Sequence, residues 1–97
     1  MTTATAAGPV LAVISHPVKD YAAWRVAYDK AEPIRRAAGV TAAEVFHDPK
    51  DPNSMVIIHR FPSVDSMQKF LGDPALKAAM AAGGVLAPPT ALVGIAA

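Results

Sequence analysis

The sequence predicts an α+β domain in which helices lie on one face of a four-stranded antiparallel sheet. Three observations carry that prediction. Strand-like and helix-period stretches follow one another in the order strand, helix, strand, strand, helix, strand. Their boundaries carry the residues that start and stop such elements: Asp20 and Ser63 as helix caps, Gly39, Gly72 and Gly83-Gly84 as stops, Pro17 and Pro88-Pro89 as breaks. The chain of 97 residues is 53% hydrophobic, enough for one core and too short for two.

Val10 to His16 is a continuous apolar run closed by Pro17 and reads as a buried strand. Asp20 caps a helix running to Ala38 and ending at Gly39, with Ala23, Trp24, Ala27, Tyr28, Ala31, Ile34 and Ala38 on one face at 100° per residue. Pro33 sits inside that helix, lacks the N–H that would reach the Asp29 carbonyl, and predicts a kink. Thr41 to His47 and Met55 to Phe61 read as strands, joined by a polar loop from Asp48 to Ser54. Ser63 opens a second helix with Met67, Phe70 and Leu71 on its inner face. This helix breaks at Gly72, restarts at Asp73-Pro74 and ends at Gly83-Gly84. A last strand covers Thr90 to Ile95, and Met1 to Gly8 is expected to be a mobile tail ahead of a single domain at residues 9–97.

This order is ferredoxin-like, and right-handed crossovers place the first and third strands at the centre of the sheet with both helices on one face. Those two runs, Val10–Ile14 and Val56–Ile58, are the least alternating in the chain. A sheet covered on one side only should alternate apolar and polar residues. Apolar residues on both sides therefore predict a second cover, and a second copy packed sheet against sheet, forming an α/β barrel, is the economical one.

Composition narrows the function. A net charge of +1 with dispersed basic residues argues against nucleic acid and anionic membrane surfaces. No apolar run is long enough to span a membrane. The absence of cysteine excludes disulfides and thiolate chemistry and fits a cytoplasmic protein. His16 and His47 are expected to end strands at one edge, two strands and about 10 Å apart, with His59 ending its strand at the other. No metal site is expected from that spacing.

Certain stretches resemble a known family. These are Val18-Lys19-Asp20-Tyr21-Ala22-Ala23-Trp24, Pro33-Ile34-Arg35-Arg36-Ala37-Ala38-Gly39-Val40, Asp51-Pro52-Asn53, His59-Arg60-Phe61 and the Gly83…Pro88-Pro89 approach to the last strand. They are similar to the dimeric α/β-barrel superfamily, in its antibiotic-biosynthesis-monooxygenase-like and cyclase-annotated small bacterial members. The resemblance covers residues 10–95 and implies sheet-to-sheet homodimers with a ligand pocket between sheet and helices. It includes cofactor-free oxygenases of aromatic polyketides, cyclases and haem-degrading enzymes. The last group depends on an Asn, Trp and His constellation, and the single asparagine here, Asn53, falls in the expected hairpin loop.

The expected function is that of a homodimeric, cofactor-independent monooxygenase or cyclase acting on an aromatic or polyketide-like small molecule, with no cofactor or metal. His59, of the same strand parity as Met55, Ile57 and Phe61, is the candidate acid/base group, because histidine titrates near neutrality. Arg35 and Tyr28 would orient a polar substituent; otherwise Arg35 snorkels its charge to water. Trp24, Tyr28, Tyr21, His16, Phe70 and Met80 are the candidate substrate-binding wall, and the same residues also suit a plain core. The alternative is a non-catalytic domain that binds a small molecule or a partner.

Overall fold

The computed structural model describes residues 9–97; the expected tail at residues 1–8 lies outside them. Strand β1 (Val10–Pro17) is followed by helices α1 (Tyr21–Lys30) and α2 (Glu32–Ala37). A hairpin of β2 (Ala42–Asp48) and β3 (Asp51–Phe61), helices α3 (Val64–Leu71) and α4 (Pro74–Ala82), and β4 (Thr90–Ile95) complete the chain. All pairs in the sheet are antiparallel, in the order β2-β3-β1-β4, so the two least alternating strands lie at its centre.

The β1–β3 register, from Val10 opposite Phe61 to Pro17 opposite Ser54, decides which side chains enter the core. Val10, Ala12, Ile14 and His16 are buried on the helix side, beside Phe61, Ile57, Met55 and His59 of the neighbouring strand. Trp24, Met67 and Phe70 of the helices close over them. The opposite face presents half-buried Leu11, Val13, Val56 and Ile58, flanked in register by Phe46, 50% exposed, and Leu92, 73% exposed.

Three elements depart from the sequence reading. The first helix is two helices. Asp20 caps α1 through a 3.0 Å bond from the Ala23 N–H, and the chain leaves the helix at Ala31. Pro33 then falls in the first turn of α2, where a missing N–H costs nothing, so the expected kink is a break. The expected long hairpin loop is also mostly strand. Asp51 to Ser54 extend β3, and Asp48 pairs with Asp51 across a turn in which the Asp48 carboxylate accepts from the Lys50 N–H at 2.8 Å. Pro52 is tolerated because β1 ends opposite Ser54. Asn53 has a structural role, since its side chain accepts from the Tyr21 N–H and its carbonyl from Val18, both at 2.8 Å, pinning the entry of α1 to β3. Finally, Leu71, expected on the inner face with Met67 and Phe70, lies at its margin, 40% exposed where those two are buried.

Helix α2 ends in a Schellman motif, with the Gly39 N–H donating to Arg36 and the Val40 N–H to the carbonyl of Arg35, at 3.1 and 3.0 Å. Gly39 has φ +86°, and a Cβ there would meet only ordinary contacts at 3.7 Å. The cost of a side chain is therefore conformational. Gly39→Ala is expected to lower stability by about 1–2 kcal/mol. Gly72→Ala, at an ordinary negative φ, should shift it by less than about 0.5 kcal/mol. Urea denaturation of the two variants checks both values.

Candidate active site

Between the sheet and the helices lies a cavity of ≈ 90 Å³. Strand alternation supplies its floor: Ile14 and His16 from β1, Ile57 and His59 from β3. Its roof is Trp24 and Tyr28 from α1, Phe70 and Leu71 from α3, Leu76 and Met80 from α4, and Pro89 before β4. A smaller void of ≈ 40 Å³ adjoins it, lined also by Ala27, Ala31 and Arg35. Leu71, Met80 and Pro89 are shared with an open apolar groove along Lys77, Leu86 and Pro88, which gives the interior a route to solvent.

The polar groups gather where α1 ends. The Tyr28 hydroxyl lies 3.0 Å from Nε2 of His59. Trp24 stacks on the Tyr28 ring at 4.8 Å, and the Arg35 guanidinium lies 3.7 Å from that ring's centroid. Arg35 is only 8% exposed, so its charge does not snorkel to water. It turns back to donate a 2.7 Å hydrogen bond to the Tyr28 carbonyl, which also takes a 3.1 Å bond from the Ala31 N–H where α1 breaks. Phe70 meets His59 edge-on at 5.4 Å, fixing the imidazole from the other side.

Burial and the Arg35 charge push the His59 imidazole down to about 4, so it is neutral at pH 7. Burial also raises the Tyr28 hydroxyl above its ordinary range, partly offset by the charges of Arg35 and Arg25. The pair is therefore neutral. In one tautomer the hydroxyl donates to Nε2 and Nδ1 carries the proton; in the other Nε2 donates to the hydroxyl and Nδ1 is a bare lone pair. Either way Nδ1 of His59 is buried without a partner among the described residues. His16, lowered by burial and also orphaned at Nδ1, lines the cavity further along the sheet. It sits opposite Met55, whereas His59 sits opposite Ala12, roughly 13 Å of strand away.

Of the residues singled out from the sequence, Trp24, Tyr28, His16, His59, Phe70 and Met80 line the larger cavity and Arg35 the smaller one. Tyr21 does not. It packs beside Trp24 and exposed His47 at the edge of the sheet. Sequence reasoning passed over Ile14, Ile57, Pro89 and the small residues Ala27 and Ala31. The isoleucines share strand parity with the two histidines and could have been found that way; nothing local marks Pro89. Among the described residues no three His, Cys, Asp or Glu side chains come together as metal ligands, and no helix is long and apolar enough to cross a membrane.

The family model described as antibiotic biosynthesis monooxygenase matches residues 10–82, which span both central strands and every helix. The chain belongs to this monooxygenase family. No curated protein matches it significantly in sequence. Solved structures share its fold. One is SnoaB from Streptomyces nogalater, described as a cofactor-independent oxygenase and solved as a mutant, with 17% identity over 93% of this chain and 94% of that one, TM-score 0.75. Another is a Bordetella bronchiseptica protein provisionally described as an antibiotic biosynthesis monooxygenase, 16% identical over 93% and 98%, TM-score 0.78. A third is the ActVA-Orf6 monooxygenase of Streptomyces coelicolor in complex with nanaomycin D, 24% identical over 94% and 88%, TM-score 0.64.

In this monooxygenase-family chain the lowered imidazole links the site to stability. Below its ordinary value of 6.5 the unfolded chain binds a proton that the folded His59 refuses until about 4. Stability is thus full above pH 6.5 and falls as the pH drops toward 4, by up to about 3 kcal/mol from this group. His59→Gln should flatten the acid side of a stability–pH curve by as much as about 1.4 kcal/mol per pH unit within that window. Chemical denaturation at half-unit pH steps reads the difference, and parallel curves for the two proteins would contradict it.

Proposed function

We propose that the chain is a cofactor-independent monooxygenase of hydroxyaromatic or polyketide-like compounds, with His59 as the acid/base group and Tyr28 and Arg35 orienting the substrate. The observation that carries this reading is the neutral Tyr28–His59 pair, buried beside the Arg35 charge at the polar end of an otherwise apolar cavity. Family membership and the fold shared with SnoaB and ActVA-Orf6 support it.

The chemistry follows from the groups present. A flat ring enters between Trp24, Phe70 and Met80, with its acidic C–H or O–H at the His59 end. His59 takes that proton, and the Tyr28 hydroxyl and Arg35 stabilise the anion left on the substrate. An electron-rich aromatic anion reduces molecular oxygen, the co-substrate, directly. A C–O bond forms and the proton held on His59 passes to the peroxide, giving a hydroperoxide. His59 then takes the second C–H proton as the C=O bond forms and the O–O bond breaks, and the hydroxide released recovers that proton as water. For an anthrone the balance is one CH2 and one O2 to one ketone and one water. Without oxygen, the same carbanion closing on an internal carbonyl would make the protein a cyclase, and oxygen uptake separates the two.

The same proposal includes a homodimer formed through the outer face of the sheet. Leu11, Val13, Val56 and Ile58, with Phe46 and Leu92 beside them, make an apolar surface that a single copy leaves wet. The cysteine-free composition supports a cytoplasmic setting.

Two experiments test this. With a panel of anthrones and quinols, oxygen consumption should be measurable for the native protein and fall about 100-fold or more in His59→Ala and Tyr28→Phe; unchanged rates in both would remove the assigned roles. Light scattering should report a particle of twice 10.1 kDa. Leu92→Arg, which places a charge on the outer face, should halve that mass while leaving far-UV circular dichroism intact, and a native mass of one chain would exclude the dimer.

A further inference from the structure

Arg35 is a cation without a counter-ion. It is nine-tenths buried, yet it takes part in no ion pair among the described residues. The carboxylates near it are engaged elsewhere: Glu32 holds Arg36 at 2.7 Å and Asp29 holds Arg25 at 3.2 Å, both at the surface. Its hydrogen-bond partner is a neutral carbonyl, that of Tyr28. The end of α1 and the Tyr28 ring offset part of the cost of burial, through the helix dipole and the ring quadrupole. Neither brings a full negative charge, and a buried charge left unpaired is strongly destabilising. A chain that needed only a cap for Tyr28 could use a neutral donor.

The surroundings of that charge define what would complete it. The ≈ 40 Å³ void beside Arg35 is walled by Trp24, alanines, Phe70, Leu76 and Met80, and its only other polar side chains are Tyr28 and His59. Three side chains able to hydrogen-bond, one of them permanently charged, therefore border the same nearly apolar space. Planar guanidinium matches planar carboxylate, and such pairs are bidentate.

We infer that the cavity recognises an aromatic acid, whose carboxylate lies on Arg35 and whose ring lies between Trp24, Phe70 and Met80. This rests on the proposed reading of the cavity as the ligand site and narrows its substrate class. The two adjoining voids, ≈ 90 and ≈ 40 Å³, fall short of the about 150 Å³ that holds benzene, so even a one-ring acid must use the opening toward the groove as well as the interior. Larger fused rings would extend along the groove by Leu86 and Pro88. The bound carboxylate also screens His59 from the Arg35 charge, one of the two causes that hold its imidazole low. An acidic substrate thereby makes the base more basic on arrival.

The test uses benzoate and benzamide, equal in shape and different in charge, with the full-length isotope-labelled protein. Benzoate should bind about 10-fold tighter or more by NMR titration, as expected for a charge-assisted pair. It should move the Arg35 Nε–Hε signal and raise the His59 pKa, and benzamide should do neither. Arg35→Met should reduce benzoate to the affinity of benzamide, and Arg25→Gln, at a more exposed arginine beside the same tyrosine ring, should leave the preference intact. Equal binding of the two probes, no saturable binding of either, an Arg35 signal indifferent to charge, or a preference that survives Arg35→Met or vanishes in Arg25→Gln each overturns the inference. The Arg35 signal is read in the native protein, so the inference stays testable even if Arg35→Met fails to fold. If oxygen uptake depends on His59 while benzoate shows no preference, the acid recognition falls and the enzymatic reading stands; the reverse pattern separates them the other way.

Discussion

The pairing of β1 with β3 is the constraint on which everything else in this molecule depends. Side chains on a strand alternate with a period of two, so a slip of one residue would exchange the two faces of the sheet. Held as it is, Ala12 opposite His59 and Ile14 opposite Ile57, the register turns both histidines under the helices and leaves Val13 and Ile58 outside. The helix-facing row is fixed by bulk. Val10, Phe61 and Met55 are essentially inaccessible to water, and a slip would bring Ser15 and Arg60 into the helix-facing row in place of larger or uncharged groups. The site inherits its floor from this hydrophobic choice.

Its roof depends on a defect. A continuous helix from Tyr21 to Ala37 would keep the Tyr28 carbonyl inside its ladder and leave the Arg35 guanidinium no acceptor there. Pro33 forbids continuity. At the break that carbonyl keeps only the Ala31 N–H, shared with the Ala27 carbonyl, the Arg35 side chain turns back onto it, and the Schellman turn at Gly39 anchors the Arg35 backbone by its own carbonyl. A backbone irregularity thus places a cation on the ring of Tyr28, and through that ring beside His59. Structural and chemical roles coincide in these residues, which is why neither can be assigned from side-chain type alone.

Much of this was legible in the sequence. Element order, central strands, caps at Asp20 and Ser63, and the shared parity of His59 with Met55, Ile57 and Phe61 all follow from local patterns. The misreadings arose where a local rule met a tertiary one. Asp51-Pro52-Asn53 carries the composition of a loop, but Asp48 closes the turn early and Asn53 is recruited to hold α1. Pro33 signals a disruption, and whether that is a kink or a break depends on whether the next residues can start a helix of their own. For Arg35 the sequence left a pocket role and a snorkelling role open, because nothing local announces that its side chain will turn back onto the Tyr28 carbonyl. The Tyr28–His59 contact joins residues 31 apart on different elements, and no spacing rule reaches it.

Helix α4 contributes no buried residue of its own, although Leu76 and Met80 form part of the roof. It is tied down at its ends, by the Asp73 cap and by Gly83, whose missing Cβ lets the chain come close to Trp24 and Ala27. Its hold on the core is through partly buried side chains, Leu76 and Met80, where the sheet and the other helices use fully buried ones. Two turns of helix bounded by Gly72 and Gly83 are therefore the thinnest wall of the interior, on the side where the groove already reaches solvent.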